Sequence, residues 1–193
     1  MSGRERAARR AAVEQKFRAL YGGEPAGWVR APGRAELLGT DTDDHLGYVM
    51  TMAIHLDTWI AYRPSGSGRV RLHSLNIDEG LDYRLGEEPG EPRASWDRYV
   101  SGVSRVLRLK GHTLAGVEAV AHSTVPIGGG LSSSASLEVC LALALLAVAG
   151  INVEARQLAL MCQRAEVDFV GVGCGIMDQY AIACGDQGMA TLL

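Results

Sequence analysis

Hydrophobic and polar positions change their period several times along the chain. Val13, Phe17, Leu20 and Tyr21 fall at i, i+4, i+7 and i+8 behind an arginine-rich start (Arg4, Arg6, Arg9, Arg10), and Gly22-Gly23 follows. That spacing predicts an amphipathic helix closed by glycine rather than a transit peptide. Residues 27–63 shift to short β-type runs, "WVRA", "AELLG", "YVMTMAI" and "TWIAY", broken by a polar insert, "TDTDDHLG", of loop composition. "RPSGSG" (63–68) reads as a hairpin-type loop, with "RVRLHSL" and "GLDYRL" as strands beyond it. Ser95 is placed to cap a helix with Trp96, Tyr99, Val100, Val103, Val106 and Leu107 on one face, closed by Gly111. "GVEAVAHSTV" is a further strand; residues 133–149 form a nearly all-apolar helix ended by Gly150; Asn152 then caps a helix reaching about Val170, and "ATLL" (190–193) looks like a strand. Strands and helices alternate without regular βαβ spacing, and no internal repeat or low-complexity linker interrupts them.

Composition narrows the class. With 193 residues, 47% of them hydrophobic, the chain fills one ordinary core. A net charge of -3 with both signs interspersed leaves no basic face for nucleic acid and no polybasic stretch for anionic membranes. The longest apolar run, 139–149, is about half of the ~20 residues a membrane span needs. Cys140, Cys162, Cys174 and Cys184 show no CxxC spacing, so they are expected to be reduced core thiols in a cytoplasmic protein.

The chemistry concentrates at "PIGGGLSSSASLE" (126–138), where three glycines and three serines abut the apolar helix. A P-loop needs a lysine after its last glycine, and none follows Gly130. A dinucleotide fingerprint needs GxGxxG with an acid about 20 residues on, and neither is present. Two readings of the loop alone remain: a tight turn with serine caps, or an anion cradle. Glycines let backbone approach a phosphate, and the free N–H groups and dipole of a helix start attract it.

Four stretches carry a family resemblance. "VPIGGGLSSSASLE" resembles the phosphate loop of the kinase superfamily that includes galactokinase, homoserine kinase, mevalonate kinase and phosphomevalonate kinase. "CQRAEVDFVGVGCGIMDQY" (162–180) is similar to the galactokinase stretch holding the catalytic aspartate, "RAPGRAELLGTDTD" (30–43) sits where galactokinases carry their sugar-binding signature, and "WDRYVSGV" (96–103) matches a fourth galactokinase block. The resemblance implies an α+β fold of the ribosomal S5 domain 2-like kind, a mixed or antiparallel sheet with helices on one face. Residues 1–193 would form one N-terminal sugar- and ATP-binding domain, with the signature region at about 24–63 and the phosphate-loop region at about 114–185. A C-terminal kinase domain, absent from this chain, would pack on it. The activity implied is that of an ATP-dependent sugar 1-kinase, converting ATP and galactose to ADP and galactose 1-phosphate. A non-catalytic sugar and ATP sensor and an inactive truncated fragment are the alternatives.

The same resemblance assigns roles. ATP would lie with its phosphates over Gly128, Gly129, Gly130, Leu131, Ser132, Ser133 and Ser134, and its adenine near Trp96. Ser134 and Glu166 would hold Mg2+, whose preference for hard oxygen donors they suit. Asp178 matches the catalytic aspartate and Arg34 the arginine beside it; Asp43 and Gly175 match sugar-binding positions. One segment departs from the family. Galactokinases read "GEHTDYNGG" where this chain reads "GTDTDDHLG", so Thr40 and Asp41 replace the Glu and His that reach the 6-hydroxyl end of galactose. The phosphate-handling residues are kept, so the departure at Thr40 and Asp41 leaves two readings open, an altered sugar choice or an intact galactose site.

Overall fold

Long β-type runs joined by glycine and proline turns build one sheet, and the apolar helices bury their stripes against it. The structure, a computed structural model, describes residues 2–39, 42, 47–89 and 95–193. The elements are α1 (Gly3–Tyr21), β1 (Gly27–Leu38), β2 (Met50–Pro64), β3 (Arg69–Ser74), β4 (Glu79–Arg84), α2 (Ser95–Leu109), β5 (Val117–Ser123), α3 (Ser133–Ala149), α4 (Ala155–Ala165), a π-helical turn (Glu166–Val170), α5 (Met177–Cys184) and β6 (Thr191–Leu192). The sheet order is β1-β2-β5-β3-β4, with β6 on the free stretch of β2. Every pairing is antiparallel except β3 with β5.

Three expectations change in detail. The four β-type runs of residues 27–63 fuse into two long strands, because pairing carries the backbone through the irregularities at Pro32 and Gly33. There β1 slips register between Pro32 and Arg34. Proline donates no N–H, and a Cβ on Gly33 would lie 2.8 Å from the Leu131 carbonyl oxygen, so the bulge sits where another backbone comes close. The "RPSGSG" loop is not a hairpin: β5 lies between β2 and β3, and Ser65 N–H donates to Gly116 O at 2.9 Å as the chain crosses over. The helix expected from Asn152 starts at Ala155, behind Glu154, and its last turn widens into the π-helical turn at Glu166.

Alternation along β2 and β5 divides the apolar side chains between two faces. Ile60, Ala119 and Ala121 face the main core with α2, α3 and α4. Ala61 and Val120 face the other way, against Val13 and Phe17 of α1. The α+β class and mixed sheet hold, and α1 adds a helix to the face expected to be bare. Helix α3 is apolar on all sides because it is surrounded on all sides: Ala135, Val139, Cys140, Leu141, Ala144 and Leu145 are buried. Its N-terminus is thereby fixed at the end of β5, where the glycine loop is.

Candidate active site

The loop between β5 and α3 bends where glycine permits it. Gly128 and Gly130 have φ of 71° and 70°, in the left-handed region. Ser132, the residue before α3, also has positive φ, at 57°. Its hydroxyl does not cap the helix; it donates instead to Asp178 Oδ2. The first N–H groups of a 17-residue helix are thus left without a side-chain cap, beside a loop of glycine backbone. That end carries the positive pole of the helix dipole, which suits an anion.

Arg34 and Asp178 face this helix end from two other elements. The β1 bulge aims Arg34 across the sheet edge, and its own N–H donates to Leu131 O at 3.2 Å. Its guanidinium donates to Asp178 Oδ1 from Nε and Nη2, each at 2.7 Å, and to Gly130 O from Nη1 at 2.6 Å. Asp178, in the first turn of α5, therefore accepts from Arg34 on one oxygen and Ser132 on the other. Both side chains are mostly buried yet reach the wall of a cavity of about 480 Å³.

That cavity brings together most of the residues singled out in the sequence. Arg34, Asp178, Gly128 and Gly130 line it, with Ser132, Ser133, Ser134 and Trp96. Gly129 and Leu131 belong to the loop without lining the cavity, and Gly175 lies in the segment before α5, also off its wall. Thr40, Asp41 and Asp43 lie outside the described residues. Sequence reasoning missed Asn76, Tyr99 and Ile127, which add to the wall from the β3–β4 turn, α2 and the loop itself. Asn76 carries no motif, and Tyr99 looked like one more residue of an apolar stripe.

Glu166 sits behind the serine side of the loop, 6% exposed, at the start of the π-helical turn. Burial, and next the charge of Asp178, raise its carboxyl above the ordinary value, while hydrogen bonds from Gln179, Ser134 and Cys174 pull it down. Ser134 and Glu166 thus meet, and a hydroxyl beside a carboxylate is a donor pair that Mg2+ accepts together with water and phosphate oxygens. Among the described residues, no group of three or more His, Cys, Asp or Glu side chains is arranged to hold a metal ion by itself. Deeper still, Glu138 of α3 is fully buried, and its carboxyl is pushed well above its ordinary value by burial and by Glu166. An ionisable residue inside an apolar helix was the signal that could have found it.

Comparison with known proteins places these features in a family. Residues 98–186 match the family described as GHMP kinases N terminal domain, and residues 15–64 match the galactokinase galactose-binding signature. A galactokinase of Streptomyces coelicolor is 45% identical over 183 residues, covering 94% of this chain and 47% of its own length. Human galactokinase is 40% identical over 194 residues, covering 95% of this chain and 48% of its own. The crystal structure of Lactococcus lactis galactokinase complexed with galactose superposes with a TM-score of 0.86 at 31% identity, over 94% of this chain and 48% of that one. Methanococcus jannaschii mevalonate kinase shares the fold, at a TM-score of 0.74 and 18% identity, over 89% of this chain and 54% of its own. The chain spans about half the length of the curated relatives it matches.

Proposed function

We propose that this chain, which belongs to the galactokinase family of GHMP kinases, supplies that family's N-terminal domain and forms the sugar- and nucleotide-binding part of an ATP-dependent sugar 1-kinase acting on galactose or a related aldose. The observation that carries this reading is the Arg34–Asp178 pair, held against the uncapped start of α3 and the glycine loop in one cavity. In the reading, the ATP phosphates lie on the loop from Gly128 to Ser134, with the adenine toward Trp96. Asp178 accepts the proton of the sugar's anomeric hydroxyl. The oxygen of that hydroxyl forms a bond to the γ-phosphorus as the bridge to ADP breaks, and ADP leaves with the bonding pair. Arg34 orients Asp178 through its paired hydrogen bonds and faces the charge that spreads over the transferring group. Phosphoryl transfer asks mainly for such positioning and charge neutralisation. Ser134 and Glu166 would hold Mg2+, which when bound offsets phosphate charge.

Asp43 and Gly175 are assigned to the sugar by their place in the family pattern, and Thr40 and Asp41 to its far end. The apolar side chains of Leu38, Tyr48, Met189 and Leu192 are exposed near the β1, β2 and β6 ends, which supports the expectation that a C-terminal domain covers this region. Cys140, Cys162, Cys174 and Cys184 form no disulfide with one another, which suits a reducing cytoplasm. No helix among the described residues is long and apolar enough to cross a membrane. The test is sugar-dependent ATP consumption across a panel of aldoses, with the protein at its full natural length. Turnover on galactose or a neighbour is expected; binding of sugar and ATP without turnover on any aldose would replace the kinase with a sensor.

A further inference from the structure

Behind the loop, three side chains from three elements meet out of reach of solvent. Glu138 and Gln179 are both 0% exposed, and Glu166 is nearly so. Gln179 Nε2 donates to Glu166 Oε2 at 2.5 Å and to Glu138 Oε2 at 3.3 Å, one amide hydrogen for each carboxyl group. Glu138 Oε1 and Gln179 Oε1 have no hydrogen-bond partner, so the cluster is only partly satisfied. A partly satisfied buried polar group destabilises a fold, and an apolar residue of similar volume among Leu137, Val139 and Leu141 would be more stable there. The arrangement therefore needs a reason other than stability.

The geometry supplies one. Glu138 stands four residues after Ser134, on the same face of α3 and one turn deeper. Gln179 follows Asp178 in the first turn of α5, and Glu166 opens a π-helical turn, a distortion that recurs at functional sites. We propose that Glu138 is a positioning residue, which through the Gln179 amide fixes the Glu166 carboxylate against Ser134 and the turn of α5 that carries Asp178. The inference rests on the reading of Glu166 and Ser134 as the cation's protein ligands. Glu138 itself touches neither substrate nor metal; without it Gln179 keeps one anchor in place of two, and Glu166 loses its fixed direction.

The experiment uses the protein at its full natural length with ATP present, titrated with Mn2+ while free Mn2+ is read by electron paramagnetic resonance. Glu138→Met and Gln179→Met should each raise half-saturating Mn2+ about five- to tenfold, and the double variant no further, because both cut the same bridge. Glu138→Gln, which keeps an acceptor oxygen, should stay within about twofold. In metal-free buffer the Met variants should unfold at or above the parent's temperature, an outcome that a purely structural role does not give. If Glu138→Met does not fold, Glu138→Ala, which also removes the acceptor, is read in its place with the same expected rise. Parental Mn2+ binding in the Met variants, beside lost binding in Glu166→Ala, overturns the bridge and leaves the metal reading intact. Parental binding in Glu166→Ala, or no Mn2+ binding by the parent itself, overturns the metal reading and this inference with it.

Discussion

Replacing Asp57 with Asn should cost the fold about 3 to 5 kcal/mol, the range found when one partner of a buried ion pair is removed. Asp57 and Arg9 are paired on the α1 face of the sheet with side chains only 5% and 4% exposed. Arg9 also donates to Asp57 O at 2.8 Å, His122 O at 2.6 Å and His122 Nδ1 at 2.8 Å, and lies over the Trp59 ring at 4.3 Å. Asparagine keeps the shape and one acceptor but leaves that guanidinium buried without a counter-charge. The remaining contacts of Arg9 set the expected loss toward the lower end. Arg30, the second cation on Asp57, is 57% exposed, so its pairing is screened by water and Arg30→Gln should cost under about 1 kcal/mol. For a chain of this length the unfolding entropy is roughly 0.4 kcal/mol per kelvin, so Asp57→Asn should lower Tm by about 7 to 12 °C and Arg30→Gln by about 2 °C or less. Calorimetry or thermal circular dichroism on the three proteins reads both. A Tm for Asp57→Asn within 2 °C of the parent would show that the Arg9–Asp57 charge pair does not hold α1 to the sheet.

Three other outcomes follow from the site and its surroundings. Asp178→Asn should lower kcat for sugar phosphorylation at least 100-fold while ATP affinity stays within about threefold, read by steady-state kinetics and a nucleotide titration. Ser132→Ala and Ser132→Gly both delete the hydrogen bond to Asp178, but only Ala keeps a side chain at positive φ; the Ala variant should be less stable than the Gly variant by about 1 kcal/mol in denaturant unfolding. His122 is held below its ordinary pKa by burial and then by the charge of Arg9, so the unfolded chain binds its proton first and stability falls as pH drops below about 6.5. His122→Gln should flatten that part of the Tm–pH profile, and the difference between the two profiles cancels the opposite trend of the buried carboxyls Glu138 and Glu166, whose raised values favour the fold as pH falls.

What the sequence shows directly is local. Helix α3 was legible because seventeen apolar-rich residues end in Gly150, and the loop because glycine and serine abut that helix. The lengths of β1 and β2 were not, since Pro32, Gly33 and the polar His55 and Asp57 look like breaks until a neighbouring strand supplies the pairing. The place of β3 was also hidden: it lies parallel to β5, more than forty residues away in sequence, a pairing that no turn signal announces. Glu154 in place of Asn152 at the start of α4 is a boundary shift of the kind that caps often produce. The cavity's outline depended on the same non-local pairings. Arg34, Ser132 and Asp178 come from three separate stretches, and only the resemblance, not their spacing, joined them.

Two residues contradicted their surroundings, and they end differently. Arg9 stands at i with Val13 and Phe17 at i+4 and i+8, a spacing that points inward for a residue type that belongs outside. The structure buries it, and its guanidinium finds a carboxylate, two carbonyls, an imidazole nitrogen and an aromatic face. That charge is met on every side, as expected of one that fastens a helix to a sheet. Glu138 also sits inside an apolar stretch, but one of its oxygens meets nothing and the other shares an amide with Glu166. Completeness of partnering separates the two. A buried charge that satisfies itself is explained by the packing it secures, whereas a buried carboxyl left half-satisfied beside the pair proposed to hold a cation is explained only by what it holds in place.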